Sequence, residues 1–275
     1  MRTPAQVPGI DMKLRLSATV LAVAILVLPA SAAATTPVTQ HLTAGQQLVT
    51  NLGLTAWPGQ GTINKYDADG ANAGVTWGTA GVASGWSNDT KCARFVRELF
   101  RRAYSWATDA WFTQQFGSTS PDTAQLRTHM AAAQHFDVVN SVTALQPGDL
   151  VMFDKATGED HTAVVRQKLS LPNGITAQPG TVQYAVQVVD STSNPHGYLI
   201  NGTNHTYKQW ADTRRLDGSG TSVTEYNGAG YGWMVLYANS TNGTIYGWRW
   251  GVNESAISKI SDGHKVLFAR VTAEV

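Results

Sequence analysis

The chain contains a single cysteine, Cys92, among 275 residues, and this limits how the fold can be held together. One thiol forms no disulfide within the chain, and a cysteine-based zinc cluster needs several thiolates. A disulfide scaffold and such a cluster are therefore excluded, so the fold must depend on a buried apolar core. The HExxH zinc motif, the GxSxG nucleophile turn and the phosphate-binding loop are also absent, and we expect neither a metal nor a cofactor.

The N-terminal residues have the pattern of an export signal. Two basic residues, Lys13 and Arg15, precede an uncharged apolar run over residues 18–28, and the small residues of "ASAAA" follow it. A run this short is below the ~20 residues that a membrane-spanning helix requires. We predict a cleaved signal peptide with an upstream extension over residues 1–34 and a mature chain, residues 35–275, that is secreted or periplasmic; the alternative is an uncleaved membrane anchor.

The charge of the mature chain does not favour a polyanionic partner. The full chain carries a net charge of +1, and residues 1–34 hold three basic residues and one acidic residue, so the mature chain carries −1. Nucleic acids and anionic membrane surfaces attract basic proteins. We therefore expect no nucleic acid and, after signal cleavage, no membrane among the partners, and we expect a monomer.

The lone cysteine lies where the sequence predicts the first turn of a helix. After Cys92, apolar residues recur at the period of a helix, at Phe95, Val96, Leu99, Phe100 and Ala103. Asn88, Asp89 or Thr90 supplies the expected N-cap. The partial positive charge at a helix N terminus favours the thiolate, which is the nucleophilic form of cysteine. The pattern thus permits a reactive thiol, while the alternative is a small apolar residue of the core.

Two later strands each carry a polar residue that could act with the thiol. His161 opens the strand "HTAVVRQ", and Asp190 closes the next strand, "TVQYAVQVVD", along which apolar residues alternate. A cysteine, a histidine base and a third group that orients the histidine form the minimal set for acyl transfer through a thiol. The order of these residues therefore favours a cysteine hydrolase.

The segment "LQPGDLVMF", followed closely by "DHTAVV", resembles the pattern around the histidine of NlpC-type cell-wall cysteine peptidases and the related CHAP amidases. The "WG" pair before the cysteine helix is similar to that family as well, and the resemblance covers roughly residues 75–190. It implies an α+β, papain-like (NlpC-type) fold, with the nucleophile helix packed on an antiparallel β-sheet. It also implies catalytic roles for Cys92 as nucleophile, His161 as base and Asp190 as third residue.

The chain departs from the family pattern at two places. It has "KCA" where NlpC-type enzymes have Asp-Cys-Ser, and the segment between the histidine and the third residue is longer. Asn194 or His196 could therefore take the place assigned to Asp190. We predict a single domain over residues 35–275 with a polar insertion at about residues 195–230, and the insertion has the composition of a surface loop that shapes a cleft.

A secreted cysteine hydrolase that cleaves amide or peptide bonds in peptidoglycan is the function that the residues and the resemblance predict. The expected partner is a peptide or peptidoglycan substrate, and backbone N–H groups at the start of the cysteine helix are the expected donors to the oxyanion. Two alternatives stay open. One is a papain-like amidase or acyltransferase on another substrate, and the other is a non-catalytic protein that binds cell wall or glycan on the same scaffold.

Overall fold

The computed structural model describes a large part of the chain that follows the predicted signal peptide, while the signal peptide itself, residues 1–34, lies outside the described residues. The described residues are 38–53, 63–66, 74–157, 160–171, 177–197, 210–217, 223–252, 254 and 256–272. Their helices are α1 (Gln40–Leu52), α2 (Cys92–Ala103), α3 (Asp109–Phe116) and α4 (Thr123–His129), with short 3₁₀ turns at Met130–Ala132, Val142–Ala144 and Ile260–Asp262. Their strands are β1 (Asn64–Lys65), β2 (Gly74–Thr76), β3 (Ser87–Asp89), β4 (Phe136–Val138), β5 (Leu150–Asp154), β6 (Asp160–Ser170), β7 (Thr181–Thr192), β8 (Arg215–Asp217), β9 (Val223–Glu225), β10 (Gly228–Asn239), β11 (Ile245–Arg249), β12 (Ser258–Lys259) and β13 (Lys265–Val271). None of the described helices is long and apolar enough to cross a membrane.

Among the described residues, eight strands form one antiparallel sheet in the order β12-β11-β10-β7-β6-β5-β13-β4. Strands that follow one another in the chain, such as β5 and β6 or β10 and β11, pair directly, as is usual for antiparallel sheets. Two small sheets accompany it, one of β1, β3 and β2 and one of β8 and β9. The α+β class and the antiparallel sheet that the sequence predicts are therefore confirmed.

The middle of the large sheet is buried on both faces. Side chains alternate along a strand, so the facing pair Val164 and Val189 points to one side and the next pair, Val165 and Val188, points to the other. The first pair lies in a core that includes α1 and α2, and the second lies in a separate core with Phe268. This double burial explains why valines stand next to one another in both strands.

Helix α2 packs on the centre of the sheet through the apolar face that the sequence predicts. Phe95, Val96 and Leu99 are fully buried in the same core as Val164 and Val189. Burying each such side chain is worth about 1.5–3 kcal/mol, so these contacts fix the helix against β6 and β7. The first turn of α2 is thereby held next to the strands that carry the predicted histidine and aspartate.

The N-cap of α2 differs from the prediction. Lys91, and not Asn88, Asp89 or Thr90, occupies this position, and its side chain makes no capping hydrogen bond. Thr90 Oγ1 donates to Asn88 Oδ1 at 2.7 Å, and Asn88 Nδ2 donates to Asn64 Oδ1 at 3.0 Å, all three residues being buried. The polar side chains before α2 therefore tie β3 to β1 instead of capping the helix.

The predicted surface loop at residues 195–230 is wrong for the segment around residues 210–214, while Glu225 and Asn227 are exposed as predicted. Trp210, Asp212 and Arg214 are buried, with exposures of 7%, 0% and 0%. Strand β10 leaves room for them, because a Cβ at Gly230 would lie 2.7 Å from Arg214 Nε. The insertion therefore places charged side chains inside the protein, beside β10, rather than over its surface.

His41 makes a buried contact that ties α1 to the turn before β5. Its ring is fully buried, with Nε2 donating to the Gly148 carbonyl at 2.7 Å and Nδ1 accepting from the Tyr104 hydroxyl at 2.6 Å. Burial lowers the pKa of His41 from 6.5 to about 4, although the hydrogen bond to Gly148 raises it. The folded protein therefore keeps this ring neutral in weak acid.

The stability of the protein should fall as the pH drops from 6.5 to 4. Over this range the unfolded chain takes up a proton on His41 that the folded protein does not, at a cost of up to ~3 kcal/mol. Urea denaturation of the wild type and of His41→Gln, which keeps an N–H donor toward Gly148, measures this contribution. The difference in unfolding free energy between the two should shrink in acid, and a difference independent of pH would contradict the depressed pKa.

Candidate active site

Cys92 is the first residue of α2, and only 6% of it is exposed. Its sulfur lies 3.7 Å from Thr123 Oγ1 and 3.9 Å from the backbone carbonyl oxygen of Asp160. His161, the residue after Asp160, is close enough to lower the pKa of this thiol. Thr123 in turn shares a 2.7 Å hydrogen bond with Thr162, which holds its hydroxyl in place. The thiol therefore faces the beginning of β6.

His161 and Asp190 meet across the neighbouring strands β6 and β7. His161 Nε2 lies 2.7 Å from Asp190 Oδ2, and both side chains are buried. Because Nε2 contacts the carboxylate, Nδ1 is the nitrogen left for the thiol of Cys92. The structure thus brings together the three residues that the sequence predicts for catalysis, in the order thiol, imidazole, carboxylate.

The thiol and the imidazole shift each other's pKa. Burial raises the pKa of the Cys92 thiol, but the hydrogen bond and the charge of His161, with smaller contributions from Thr162 and Thr123, together lower it from 9.0 to about 7. Burial lowers the pKa of His161, but the hydrogen bonds to Asp190 and Cys92 and the charges of both raise it from 6.5 to about 9. Between these values the pair exists as thiolate and imidazolium, the form in which a cysteine is nucleophilic.

Asp190 has partners on both carboxylate oxygens. Arg214 Nη1 donates to Oδ1 at 2.8 Å, and His196 Nε2 lies 2.7 Å from Oδ2, the oxygen that His161 also binds. Burial raises the pKa of Asp190, but the charges of Arg214 and His196 and the hydrogen bonds of both histidines hold it well below its usual range. Asp190 is therefore an ionised carboxylate inside the protein.

Of the three candidates for the third catalytic residue, Asp190 is the one whose side chain hydrogen-bonds to His161 in the described structure. His196 binds Asp190 instead, and its Nδ1 lies 3.0 Å from the Trp250 carbonyl oxygen, which only accepts. Both ring nitrogens of His196 thus face acceptor oxygens that belong to residues other than His161. Asn194 accepts through its backbone carbonyl from Trp250 Nε1 at 2.9 Å and lines a cavity.

Arg214 is the residue of this site that sequence reasoning missed. It is wholly buried, and its Nε and Nη2 donate to the two carboxylate oxygens of Asp212 at 2.9 Å each. Gly228, Gly230 and Gly232 alternate along the first part of β10, so one face there carries no side chains. This pattern is the signal in the sequence that could have indicated Arg214. A strand face without side chains indicates that another chain segment approaches closely, but it does not identify that segment.

His161, Asp190 and His196 are also close enough to hold a metal ion, since one ligand atom from each lies within 4.8 Å of the others. Their contacts suit a hydrogen-bond network instead. Both histidines direct Nε2 at Asp190 Oδ2, so these nitrogens carry hydrogens where a metal needs lone pairs. The guanidinium of Arg214 on Oδ1 adds a positive charge that repels a cation.

Two cavities flank the thiol and the imidazole. One, of about 330 Å³, is lined by His161 together with aromatic and polar side chains. The other, of about 420 Å³, is lined by Cys92 and the beginning of α4. Tyr66 and Asp160 line both cavities, so the two are adjacent. An extended substrate that fills both would therefore pass the Cys92–His161 pair.

The first turn of α2 offers N–H donors beside the sulfur. Within the helix, Phe95 N–H donates to the Lys91 carbonyl at 2.8 Å. Residues 92–94 precede Phe95, the first residue whose N–H donates to a carbonyl within the helix. Their N–H groups have no carbonyl partner within the helix, as is general for the first turn of an α-helix. They lie on the turn that carries Cys92, where an oxyanion would form on an attacked carbonyl carbon.

Comparisons with known proteins give one sequence similarity and no assignment of activity. No family model matches the chain, and no solved structure matches it. Among curated proteins, the chain is similar to an uncharacterized protein of Acanthamoeba polyphaga mimivirus, with 22% identity over 213 residues that cover 73% of this chain and 85% of the viral protein. The chemistry of the site must therefore be argued from its own geometry.

Proposed function

We propose that the mature chain is a secreted, papain-like cysteine hydrolase that cleaves amide or peptide bonds, with peptidoglycan as its substrate. The observation that carries the chemistry is the buried hydrogen bond of His161 with Asp190, next to a buried thiol whose pKa His161 lowers and beside two cavities. The resemblance to NlpC-type enzymes around the cysteine and the histidine favours peptidoglycan. A helix that begins with the nucleophile and packs on an antiparallel sheet carrying the other two groups supports the papain-like part of the proposal.

The arrangement favours catalysis over passive binding. Burying ionisable side chains is unfavourable unless each is paired, and here three such side chains form one connected chain next to a cleft. Shifted pKa values at a cleft are typical of catalytic groups, because nucleophiles and bases need values near the working pH. A binding protein on the same scaffold would gain nothing from a thiol whose pKa is lowered.

Amide cleavage proceeds through an acyl-enzyme. The Cys92 thiolate attacks the carbonyl carbon, the Sγ–C bond forms, and N–H groups of residues 92–94 donate to the oxyanion. The His161 imidazolium gives its proton to the leaving nitrogen as the C–N bond breaks. Neutral His161 then takes a proton from a water molecule that attacks the acyl carbon, and the Sγ–C bond breaks to release the acid. Asp190 holds the ring so that Nδ1 faces the sulfur throughout.

The substrate is tested by incubating the protein with purified bacterial cell walls and analysing the products by mass spectrometry. Soluble fragments with new carboxyl and amine ends, absent with Cys92→Ala, are the expected result. Fragments joined to an added primary amine instead of water would favour the acyltransferase alternative. If the protein cleaves small amides but releases no product from cell walls, peptidoglycan is rejected as the substrate and the assignment as a cysteine hydrolase is retained.

Cys92 should react with iodoacetamide in a thiolate-like manner at mildly acidic pH. Because the pKa is lowered from 9.0 to about 7, the sulfur should hold about 100-fold more thiolate at pH 6 than an ordinary thiol does. The alkylation rate, followed by mass spectrometry against pH, should therefore rise with a midpoint near 7. Urea-unfolded protein is the control, and a folded midpoint that matches the unfolded one would exclude the thiolate–imidazolium pair.

A further inference from the structure

We propose that the buried ion pair of Arg214 and Asp212 sets the pH range in which the Cys92–His161 pair is active, by fixing the charge around Asp190. The inference rests on the proposed function and deepens it. Arg214 is a positioning residue in this scheme, because it acts on His161 through Asp190. The proposal also gives a role to the buried side chains of Asp212 and Arg214 in the insertion.

The guanidinium of Arg214 is held between two carboxylates. Nη1 donates to Asp190 Oδ1 at 2.8 Å and to the Gly228 carbonyl at 3.0 Å, while Nε and Nη2 bind Asp212. Asp212 Oδ2 also accepts from the backbone N–H of His196 at 2.6 Å. The side chains of Asp190, Asp212, Arg214 and His196 are all 0% exposed. The pair therefore stands at a fixed distance from the Asp190 carboxylate.

Five charged side chains of the described site form a buried cluster. The cations are those of His161 and Arg214, and the anions are those of Cys92, Asp190 and Asp212. Because these groups are buried, water screens their interactions only weakly. Removing one charge therefore changes the electrostatic potential at the other groups.

Other charged groups surround the cluster, and they stay constant when its members are changed. They are Glu254, which interacts with His196 and with Lys155, Arg215 and Arg249, and Asp160, which interacts with Asp154, Asp122 and Arg127. Their carboxylates are not fully buried, so solvent screens them more than it screens the cluster. They help to set the pH range over which Cys92 and His161 form the thiolate–imidazolium pair. Because they are the same in every variant of the cluster, they do not contribute to the shifts between variants.

The sign of each effect follows from Coulomb's law. Neutralising Arg214 leaves Asp212 without its cation, so the potential at His161 and Cys92 becomes more negative. A more negative potential favours the protonated form of both groups, and both ends of the pH range move up. Neutralising Asp212 has the opposite effect, and neutralising both leaves the net charge of the cluster as it is in the wild type. A purely structural role would instead weaken the fold in every variant without opposite shifts.

The test combines the pH profile of Cys92 alkylation by uncharged iodoacetamide with an NMR titration of the His161 ring. Arg214→Gln keeps an N–H donor toward Asp190 but no charge, and it should move both ends of the range up by about one pH unit. Asp212→Asn should move them down by a similar amount, and the double variant should return close to the wild type. Arg214→Lys keeps the charge and should stay near the wild-type range.

Arg270→Met is the matched control, because Arg270 also pairs with a fully buried carboxylate, that of Asp149, outside the cluster. Its pH range should not move. The inference is overturned if Arg214→Gln folds and its pH range does not move. It is also overturned if the pH range of Arg214→Lys shifts as far as that of Arg214→Gln. Where Arg214→Gln does not fold, the opposite shift of Asp212→Asn decides. A wild-type alkylation midpoint of Cys92 near pH 9 counts against the proposed function. In that case the shifts of the His161 titration in the Arg214 and Asp212 variants still decide the inference.

Discussion

Replacing Cys92 by alanine should reduce hydrolysis to the uncatalysed background, a loss of about 10⁶-fold if the site acts as a unit. The chain has no second thiol that could take over the attack. The fold should survive, because the side chain is small and the apolar face of α2 that packs on the sheet is unchanged. Initial rates on cell-wall fragments measure the loss, and thermal denaturation checks the fold.

Cys92→Ser is the matched variant for this prediction. Serine keeps a hydroxyl near Thr123 and His161 but does not ionise near neutral pH, so it should be as inactive as alanine if the thiolate is the nucleophile. Equal loss in both variants with unchanged melting temperatures is the expected pattern. Cleavage that survives Cys92→Ala would show that the chemistry takes place elsewhere in the chain.

Two of the three predicted site residues lie at boundaries that local patterns mark, with Cys92 first in α2 and His161 second in β6. The alternating apolar residues also predicted the strand that carries Asp190, although β7 continues past it to Thr192. Antiparallel pairing of consecutive strands then brings the histidine and the aspartate side by side. Short-range periodicity and a common topology were sufficient for this part of the site.

The charges behind the site could not be predicted in the same way. Arg214 lies 24 residues after Asp190, beyond a stretch rich in serine, threonine and asparagine that has the composition of a surface loop. Its burial depends on the space beside Gly230, which is a tertiary contact without a local pattern. The prediction of the N-cap of α2 was wrong for a related reason. The Asn88 amide binds Asn64 in β1 and Ser191 in β7, and the Thr90 hydroxyl binds Asn88, so neither side chain caps the helix.

The buried network also explains why the insertion and the site belong together. An ionised Asp190 without a cation on Oδ1 would be unfavourable at this depth, and Arg214 comes from the insertion. The segment that could have been a peripheral loop thus completes the electrostatics of the proposed triad. A fragment that ends after β7 would lack this cation and the strand β10 that pairs with β7.

His161→Ala should reduce activity nearly as far as Cys92→Ala. The thiol loses its proton acceptor and also the charge that lowers its pKa, while burial, which raises the pKa, remains. The alkylation midpoint of Cys92 should therefore move from about 7 to 9.0 or above. Combining His161→Ala with Cys92→Ala should cost no more than Cys92→Ala alone, because residues that act as a unit are not additive.

Asp190→Asn is the comparison that completes this prediction. Asparagine keeps the shape but removes the charge, and an orienting group that does not touch substrate should matter less, with a loss of about 10⁴-fold. The midpoint of His161 should fall, because the carboxylate that raises its pKa is gone. His196→Gln and Asn194→Ala are the matched controls and should cost less than Asp190→Asn. If either control costs more, the third catalytic residue is misassigned, while the Cys92–His161 mechanism stands.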